Sequence, residues 1–394
     1  MLSSFTFSSP TRIVFGEGSV DALGAELVAL GASRVLLVTG SSHTIGSEGF
    51  RRARASAAAA GVALEVFSGV TSDPPVPIIE ACSAAIAASR VDAVVAYGGG
   101  SPIDCAKAAC LHAADARLPG AAHPEASWGD YVHGRVRAER TGPPLVAIPT
   151  TAGSGSETSS AAVTTDLVAR RKIGMSDGRF FPRLALVDPS LHASMPPALT
   201  AATGMDALTH AVESLVSRNA SPVSAAIALE SARLVGANLA RAFEDGADRE
   251  ARSGMALGAA IAGMAFSQSG LGMVHGFAHP VGALAGAAHG LANAVMLPYV
   301  MEACIEAVPE PYARLAAAFG LVPKGDADAD ARAALGFVRA LSATLLIPRR
   351  LRDAGVDREL LPAILADALS YRNRAASPHA FTDAELHALL ESAW

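Results

Sequence analysis

Three histidines, His275, His279 and His289, stand in the stretch GMVHGFAHPVGALAGAAHGLANAVMLP, which is otherwise almost wholly Gly, Ala, Val, Leu and Met. A buried imidazole needs a partner for each ring nitrogen or a metal ion on one of them, so three in such surroundings point to a site. Upstream, TGMDALTHAVE carries Asp206 and His210 four residues apart. An i, i+4 pair projects from one face of a helix. Ala, Leu and Met dominate that segment and no Pro occurs between Ala198 and Ser221, so helix is expected there. One carboxylate oxygen and one imidazole could then be offered to a single point, and His275 and His289 could complete a set of one oxygen and three nitrogens. Such a set suits Fe²⁺ or Zn²⁺ rather than the all-oxygen sites of Ca²⁺ or Mg²⁺. The plainer alternatives are a hydrogen-bonded core histidine and a solvated Asp/His pair; it is the four residues together that favour a metal.

The elements that must position this chemistry fall into two textures. Strand Val35 to Thr39, helix Gly49 to Ala60, strand Ala63 to Phe67, helix Val76 to Ser89, strand Ala93 to Tyr97 and helix Pro102 to Ala113 alternate regularly. Strands separated by helices mean a parallel, doubly wound sheet that binds nucleotides at its carboxyl edge. The last joint, YGGGSPIDCAK, runs from a buried strand through Gly98, Gly99 and Gly100 into a helix expected to have Ser101 as N-cap and Pro102 at its first position. Glycines let a bulky anion approach the backbone, and the helix dipole favours a pyrophosphate, although a bare triple glycine is as often only a tight turn. Asp104 follows in the first turn, with a solvated carboxylate as the duller reading.

Phe5 to Phe7 and Arg12 to Phe15 alternate around Ser-Ser-Pro-Thr, predicting a hairpin. Residues Ala114 to Pro144 break the alternation and read as a surface excursion. After strand Leu145 to Ile148 comes PTTAGSGSE, whose hydroxyls could hydrogen-bond a nicotinamide amide or a phosphate, although such clusters are usually ordinary loops. A second hairpin spans Ala161 to Gly174. Beyond strand Leu184 to Val187 the chain turns to long Ala/Leu-rich helices, so the expected domains are residues 1–190, an α/β unit, and 191–394, an all-helical unit, sharing a cleft.

These segments resemble the iron-containing, or group III, alcohol dehydrogenases. That family carries T-G-x-D with a His one turn later, H-x-x-x-H-P, and P-H-G-x-x-N-A. The chain matches them at Asp206, His210, His275, His279-Pro280, and His289-Gly290 with Asn293-Ala294. Ala288 replaces the proline before the last ligand, which should alter the local turn and not the ligand. The family's G-G-G-S-x-x-D-x-A-K is matched from Gly98 to Lys107 without a gap, and P-T-T-A-G-[ST]-G-S-E from Pro149 to Glu157. The resemblance implies a Rossmann-like domain followed by a helical one, the architecture shared with dehydroquinate synthase. It implies metal ligation by Asp206, His210, His275 and His289, with His279 handling a proton. Cofactor contacts are implied at Gly40, Ser41, Asp73, Gly99, Gly100, Ser101, Asp104, Thr150, Thr151 and Lys172. A solvated charge beside Arg170 and Arg171 is the other reading of Lys172.

Relatives often have an acid at the Gly40 position that would bind the ribose and repel a 2′-phosphate. Its absence permits NADP as well as NAD, and nothing nearby demands it. Asp73 stands where relatives commonly carry Asn. Phe266 matches a pocket-lining position, with a core aromatic as the alternative. Arg372 and Arg374 could bind the acidic end of an aldehyde, with a solvated loop as the alternative.

At 394 residues, 51% hydrophobic and 17% charged, the chain can fill two cores and is not a disordered polyelectrolyte. A net charge of −6 without a basic stripe argues against nucleic-acid binding. The N-terminus lacks a secretory layout, the apolar run around Met255 to Met264 is too short and glycine-broken to span a bilayer, and Cys82, Cys105, Cys110 and Cys304 form no C-x-x-C pair. A cytoplasmic homodimer without membrane or nucleic-acid partners is expected. The expected activity is NAD(P)-dependent, metal-assisted interconversion of a small primary alcohol and its aldehyde. The alternatives are a dehydroquinate-synthase-like lyase using NAD transiently, or a reductase of a carboxylated substrate such as maleylacetate.

Overall fold

The structure, a computed structural model, describes residues 4–40 and 42–394. Six strands form one parallel sheet in the order β1-β8-β5-β4-β2-β3. They are β1 (Arg12–Phe15), β2 (Arg34–Thr39), β3 (Ala63–Phe67), β4 (Ala93–Gly98), β5 (Leu145–Pro149) and β8 (Leu184–Val187). The central strands β4, β5 and β8 are buried along their whole length, which is why AVVAYG, LVAIP and LALV read as continuous apolar runs. Alternation decides the face. Leu36, Val38, Val94 and Ala96 enter one core, whereas Val35, Leu37, Val95 and Tyr97 enter the other. The first core is covered by α4 (Val76–Ser89) and α5 (Gly100–His112), the second by α1 (Leu23–Ala29) and α3 (Glu48–Ala59); a short α2 (Ser42–Ile45) precedes α3. The strand order reverses between β2 and β4, and at such a switch point the carboxyl ends of the two strands open a crevice.

Three expectations are corrected here. No strand forms over Phe5 to Phe7: β1 pairs in parallel with β8, and Ser8 exchanges backbone hydrogen bonds with the Gln268 side chain. The apolar alternation was real, but a short period-two pattern does not say which strand it joins. The stretch after α5 is a surface excursion only in part, most of residues 117–144 being exposed or half-buried. It continues as a π-helical turn, Ala113–Arg117, and a short α6 (Trp128–Val132) that buries Trp128 and Tyr131 in the α4/α5 core. Buried Asp115 holds this segment by accepting from Tyr131 Oη at 2.7 Å and from the backbone N–H of Glu139 and Arg140. Finally, α5 begins two residues earlier than expected, with Gly99 and not Ser101 as its N-cap.

Two further strands, β6 (Ala161–Asp166) and β7 (Arg171–Ser176), form the antiparallel hairpin expected from the sequence. Contacts divide the chain into two compact units: residues 9–151 with 156–192, and residues 193–394 together with 4–8 and 152–155.

The second unit is helical: α7 (Pro197–Val216), α8 (Pro222–Glu244), α9 (Arg249–Ser269), α10 (Met273–Ala285), α11 (His289–Cys304), α12 (Pro309–Ala318), α13 (Ala327–Thr344), α14 (Leu361–Leu369) and α15 (Asp383–Ala393). Its core runs from Met205 and Leu208 on α7 through Val235 and Leu239 on α8 to Phe277 on α10 and Met296 on α11. α7 and α8 each start with proline in the first turn, where the missing N–H costs nothing. Their Ala- and Ser-rich faces then pack closely. α8 has the length and apolarity of a membrane span, but Glu230, Arg233 and Arg241 lie along it and the buried face belongs to the core just described.

Candidate metal and dinucleotide sites

α7, α10 and α11 build the metal locus. On α7, Asp206 and His210 lie one turn apart and project together, with His210 Nε2 3.8 Å from Asp206 Oδ1. His275, in the first turn of α10, places Nε2 3.9 Å from the same oxygen, and His289, the first residue of α11, places its own 3.6 Å away. Thus three imidazole nitrogens face one carboxylate oxygen of the fourth proposed ligand. Two of the rings are oriented from behind. His210 Nδ1 stands 3.3 Å from the Gly153 carbonyl, and His275 Nδ1 stands 2.6 Å from Glu213 Oε2. Glu213 Oε1 also accepts the Val274 N–H at 2.8 Å. Burial pushes Glu213 up to about 8, opposed by the backbone donors of Val274, Gly272 and His275. Burial likewise holds His210 and His275 below the usual imidazole value, favouring the neutral form that keeps a lone pair for a cation.

Whether a cation fits can be tested on Asn293. Its Nδ2 lies 2.7 Å from Asp206 Oδ1 and 3.2 Å from both His275 Nε2 and His289 Nε2. An amide nitrogen has two hydrogens, and three acceptors converge on it. At least one lone pair is therefore left over in a buried place, a deficit that a divalent ion removes. One oxygen and three imidazole nitrogens are a borderline donor set, as Fe²⁺ and Zn²⁺ prefer.

Local sequence explains the close approach. A Cβ on Gly290 would fall 2.2 Å from the Ala202 carbonyl oxygen and 3.3 Å from Asp206 Cβ, so only glycine lets α11 meet α7 here. Ala288, the N-cap of α11, has φ −59°, the value a proline would impose. The expected change in the turn does not occur.

His279 lies outside the donor group. Its half-buried ring stacks on His289 at 5.5 Å and meets Tyr371 edge-on at 5.8 Å. Phe266 is 4.7 Å from the His210 ring, so it borders the locus instead of the distant core. The arginine expectation fails for Arg374, whose guanidinium is taken up by the Phe381 carbonyl and the Asp383 carboxylate; Arg372 is exposed. A local acid captured the cation that sequence alone left free.

The dinucleotide candidates gather at the carboxyl edge of the sheet. Thr39 pairs with Tyr97 and Gly98 with Pro149, which sets Gly40, Gly98 and Thr150 on adjacent strand ends. Gly98 has φ +150°, and a Cβ there would strike Pro102 at 2.8 Å, so the turn into α5 requires glycine. Thr150 N–H donates to the Gly98 carbonyl, and a Cβ at Gly99 would stand 3.2 Å from Thr151 Oγ1. Gly100 and Ser101 open α5, and the Ser101 hydroxyl accepts from the Asp73 N–H at 3.0 Å. Ser41 lies outside the described residues. Asp104 does not face solvent as a free first-turn acid: it accepts from Ser156 Oγ at 2.5 Å and Val163 N at 2.9 Å, tying the PTTAGSGSE loop and the β6–β7 hairpin to α5. Lys172 is not a solvated charge either, being buried with Nζ 2.7 Å from Asp73 Oδ2.

Sequence reasoning passed over Glu213, Asn293 and the Gly153 carbonyl. The signal for the first two was periodic: Glu213 is seven residues after Asp206 and Asn293 four after His289, each on the face of its neighbouring ligand.

A doubly wound sheet with a glycine joint at its switch point, and a helical unit carrying an oxygen-and-three-nitrogen donor set, define a nucleotide-dependent metalloprotein. Two family models cover nearly the whole chain: "Iron-containing alcohol dehydrogenase" over residues 10–189 and "Fe-containing alcohol dehydrogenase family, C-terminal" over residues 200–394. The chain is 35% identical over 382 residues to the lactaldehyde reductase of Escherichia coli (strain K12), covering 96% of this chain and 97% of that one. A crystal structure of 1,3-propanediol oxidoreductase superposes with a TM-score of 0.91 at 33% identity, with both chains wholly covered. The sulfoacetaldehyde reductase of Bifidobacterium kashiwanohense in complex with NAD⁺ superposes at 0.87 with 27% identity, over 99% of each chain. The chain belongs to the iron-containing alcohol dehydrogenase family. It is accordingly an oxidoreductase acting on CH–OH groups, with iron and NAD(P) as the family's cofactors. That membership sets aside the lyase alternative, and the capture of Arg374 by Asp383 removes one of the two proposed anchors for a carboxylated substrate.

Proposed function

We propose that Asp206, His210, His275 and His289 hold the divalent ion, Fe²⁺ or alternatively Zn²⁺, while Gly40, Ser101, Thr150, Thr151, Lys172 and the glycine joint of α5 hold the dinucleotide, NAD or NADP, with Asp73 bordering that joint. The observation that carries the reading is the convergence of three Nε2 atoms within 3.9 Å of Asp206 Oδ1. A divalent ion bound there supplies Lewis acidity that lowers the pKa of an alcohol. The nicotinamide supplies the hydride acceptor in one direction and the donor in the other.

The chain's own residues do the rest. Glu213 accepts a hydrogen bond from His275 Nδ1–H and so directs its Nε2 lone pair to the locus; the Gly153 carbonyl does the same for His210. Asn293 steadies Asp206. His279, half-buried against His289, accepts the alcohol proton and passes it outward, and Phe266 gives the substrate an apolar wall. Three-carbon hydroxyaldehydes and diols, the compounds the E. coli relative and the propanediol enzyme are named for, are the proposed substrates. The four free, buried thiols support residence in a reducing cytoplasm, and a homodimer is part of the same proposal.

The test is an aldehyde panel with NADH and NADPH on protein loaded separately with each metal, alongside His289→Ala. The variant should lose bound ion and turnover together. Retention of both by the variant would overturn the ligand assignment.

A further inference from the structure

Asp73 is an acid in an unwelcoming position. It sits at the joint of α5 with its N–H bonded to Ser101 Oγ at 3.0 Å, in the first turn of a 13-residue helix whose amino end favours anions. A carboxylate there competes with any diphosphate for the same field. Its backbone is held in the left-handed region at φ +49°, so the side chain cannot swing away by a simple backbone adjustment. One cation faces it: Lys172 Nζ, 2.7 Å from Oδ2, on a side chain only 4% exposed against 30% for Asp73.

The pairing is built by the hairpin and is not an accident of two long side chains meeting. Lys172 lies directly opposite Thr165 in the β6–β7 register. Thr165 grips the Asp73 loop three times: its hydroxyl donates to the Asp73 carbonyl at 2.7 Å, its N–H donates to the Pro74 carbonyl at 3.1 Å, and it forms a bridge with Pro75. Asp104 anchors the neighbouring Val163 N–H to α5. The hairpin is thereby fixed so that its buried ammonium lands on the Asp73 carboxylate.

We propose that Asp73 and Lys172 act as a charge-compensated pair that sets dinucleotide affinity, Lys172 cancelling an acid that would otherwise repel the cofactor diphosphate at the α5 joint. The proposal rests on the assignment of that joint as the diphosphate site. In the wild type the pair is neutral overall. Removing the acid leaves a buried positive charge for the diphosphate, and removing the lysine leaves a bare carboxylate beside it. Affinity should follow the net charge of the pair.

The experiment measures binding of NADH and of ADP-ribose directly, by calorimetry on the holoenzyme, for Asp73→Asn, Lys172→Met, the double variant, and Gly100→Asp. Asn is isosteric and tolerates positive φ, so Asp73→Asn leaves the turn in place. Asp73→Asn should bind NADH about 10-fold more tightly, Lys172→Met about 10-fold more weakly, and the double variant about as the wild type. The affinity of Asp73→Asn should fall more steeply with added salt than that of the wild type, a response that loss of packing would not produce. Thermal melting confirms that each variant is folded, and the double variant keeps the test open if Lys172→Met melts early. Unchanged or weaker binding by Asp73→Asn, or a double variant as weak as Lys172→Met, overturns the pairing. If Gly100→Asp, an acid placed on the joint itself, leaves binding untouched, the diphosphate assignment fails instead.

Discussion

Glu213→Gln isolates how the metal ligands are aimed. In its ionised form, which predominates above about pH 8, the Glu213 carboxylate accepts twice, from Val274 N–H at 2.8 Å and from His275 Nδ1 at 2.6 Å, so His275 then carries its proton on Nδ1 and presents a lone pair at Nε2. A glutamine has one accepting and one donating end. With its NH₂ toward His275, Nδ1 must become the acceptor, and the proton moves to Nε2, where it points at the ion. With its NH₂ toward Val274, two donors confront each other in a buried place. The first arrangement removes the lone pair meant for the ion and the second leaves a buried donor unsatisfied at about 1–3 kcal/mol, in keeping with the roughly 10- to 100-fold lower metal affinity that outer partners of ligating histidines control. The assay is competition between apoprotein and a chelator of known affinity for Zn²⁺ and Co²⁺, with circular dichroism to confirm the fold. Wild-type affinity in a folded Glu213→Gln protein would refute the tautomer argument.

Other outcomes follow from the same geometry. Gly290→Ala should push α11 off Ala202 and separate His289 from Asp206, lowering metal affinity about 10-fold or more in the same competition assay, whereas Gly336→Ala on α13, where nothing lies within 4 Å of a Cβ, should not. Burial raises Glu157 to about 7 from 4.5, so the folded chain binds a proton there that the unfolded chain releases. This contribution to stability is full below about pH 4.5 and is lost as pH rises through about 7. In urea titrations Glu157→Gln should flatten that decline and gain up to about 3 kcal/mol at pH 8, and an unchanged pH profile would count against it. Arg374→Ala should leave selectivity between carboxylated and neutral aldehydes unaltered, because Asp383 and the Phe381 carbonyl occupy the guanidinium, and should cost roughly 1 kcal/mol in thermal stability.

Period and spacing carried the sequence reading where physics is local. β3 and α4 start and stop as expected because Gly61, Pro74, Pro75 and Arg90 punctuate them. Asp206 and His210 were legible because one helical turn joins them. What the sequence withheld depended on partners far along the chain. The burial of Trp128 needed α4 and β6, with Trp128 Nε1 donating to Thr164. The fate of Arg374 needed Asp383, that of Lys172 needed Asp73, and that of Phe5 to Phe7 needed a sheet order that no short pattern encodes.

The backing of His210 by a carbonyl and of His275 by a carboxylate has a wider consequence. Protein atoms fix the orientation of these two rings, so less side-chain freedom has to be lost when an ion binds. An oxygen-and-three-nitrogen donor set does not by itself separate Fe²⁺ from Zn²⁺, so geometry and metal supply share the choice between them.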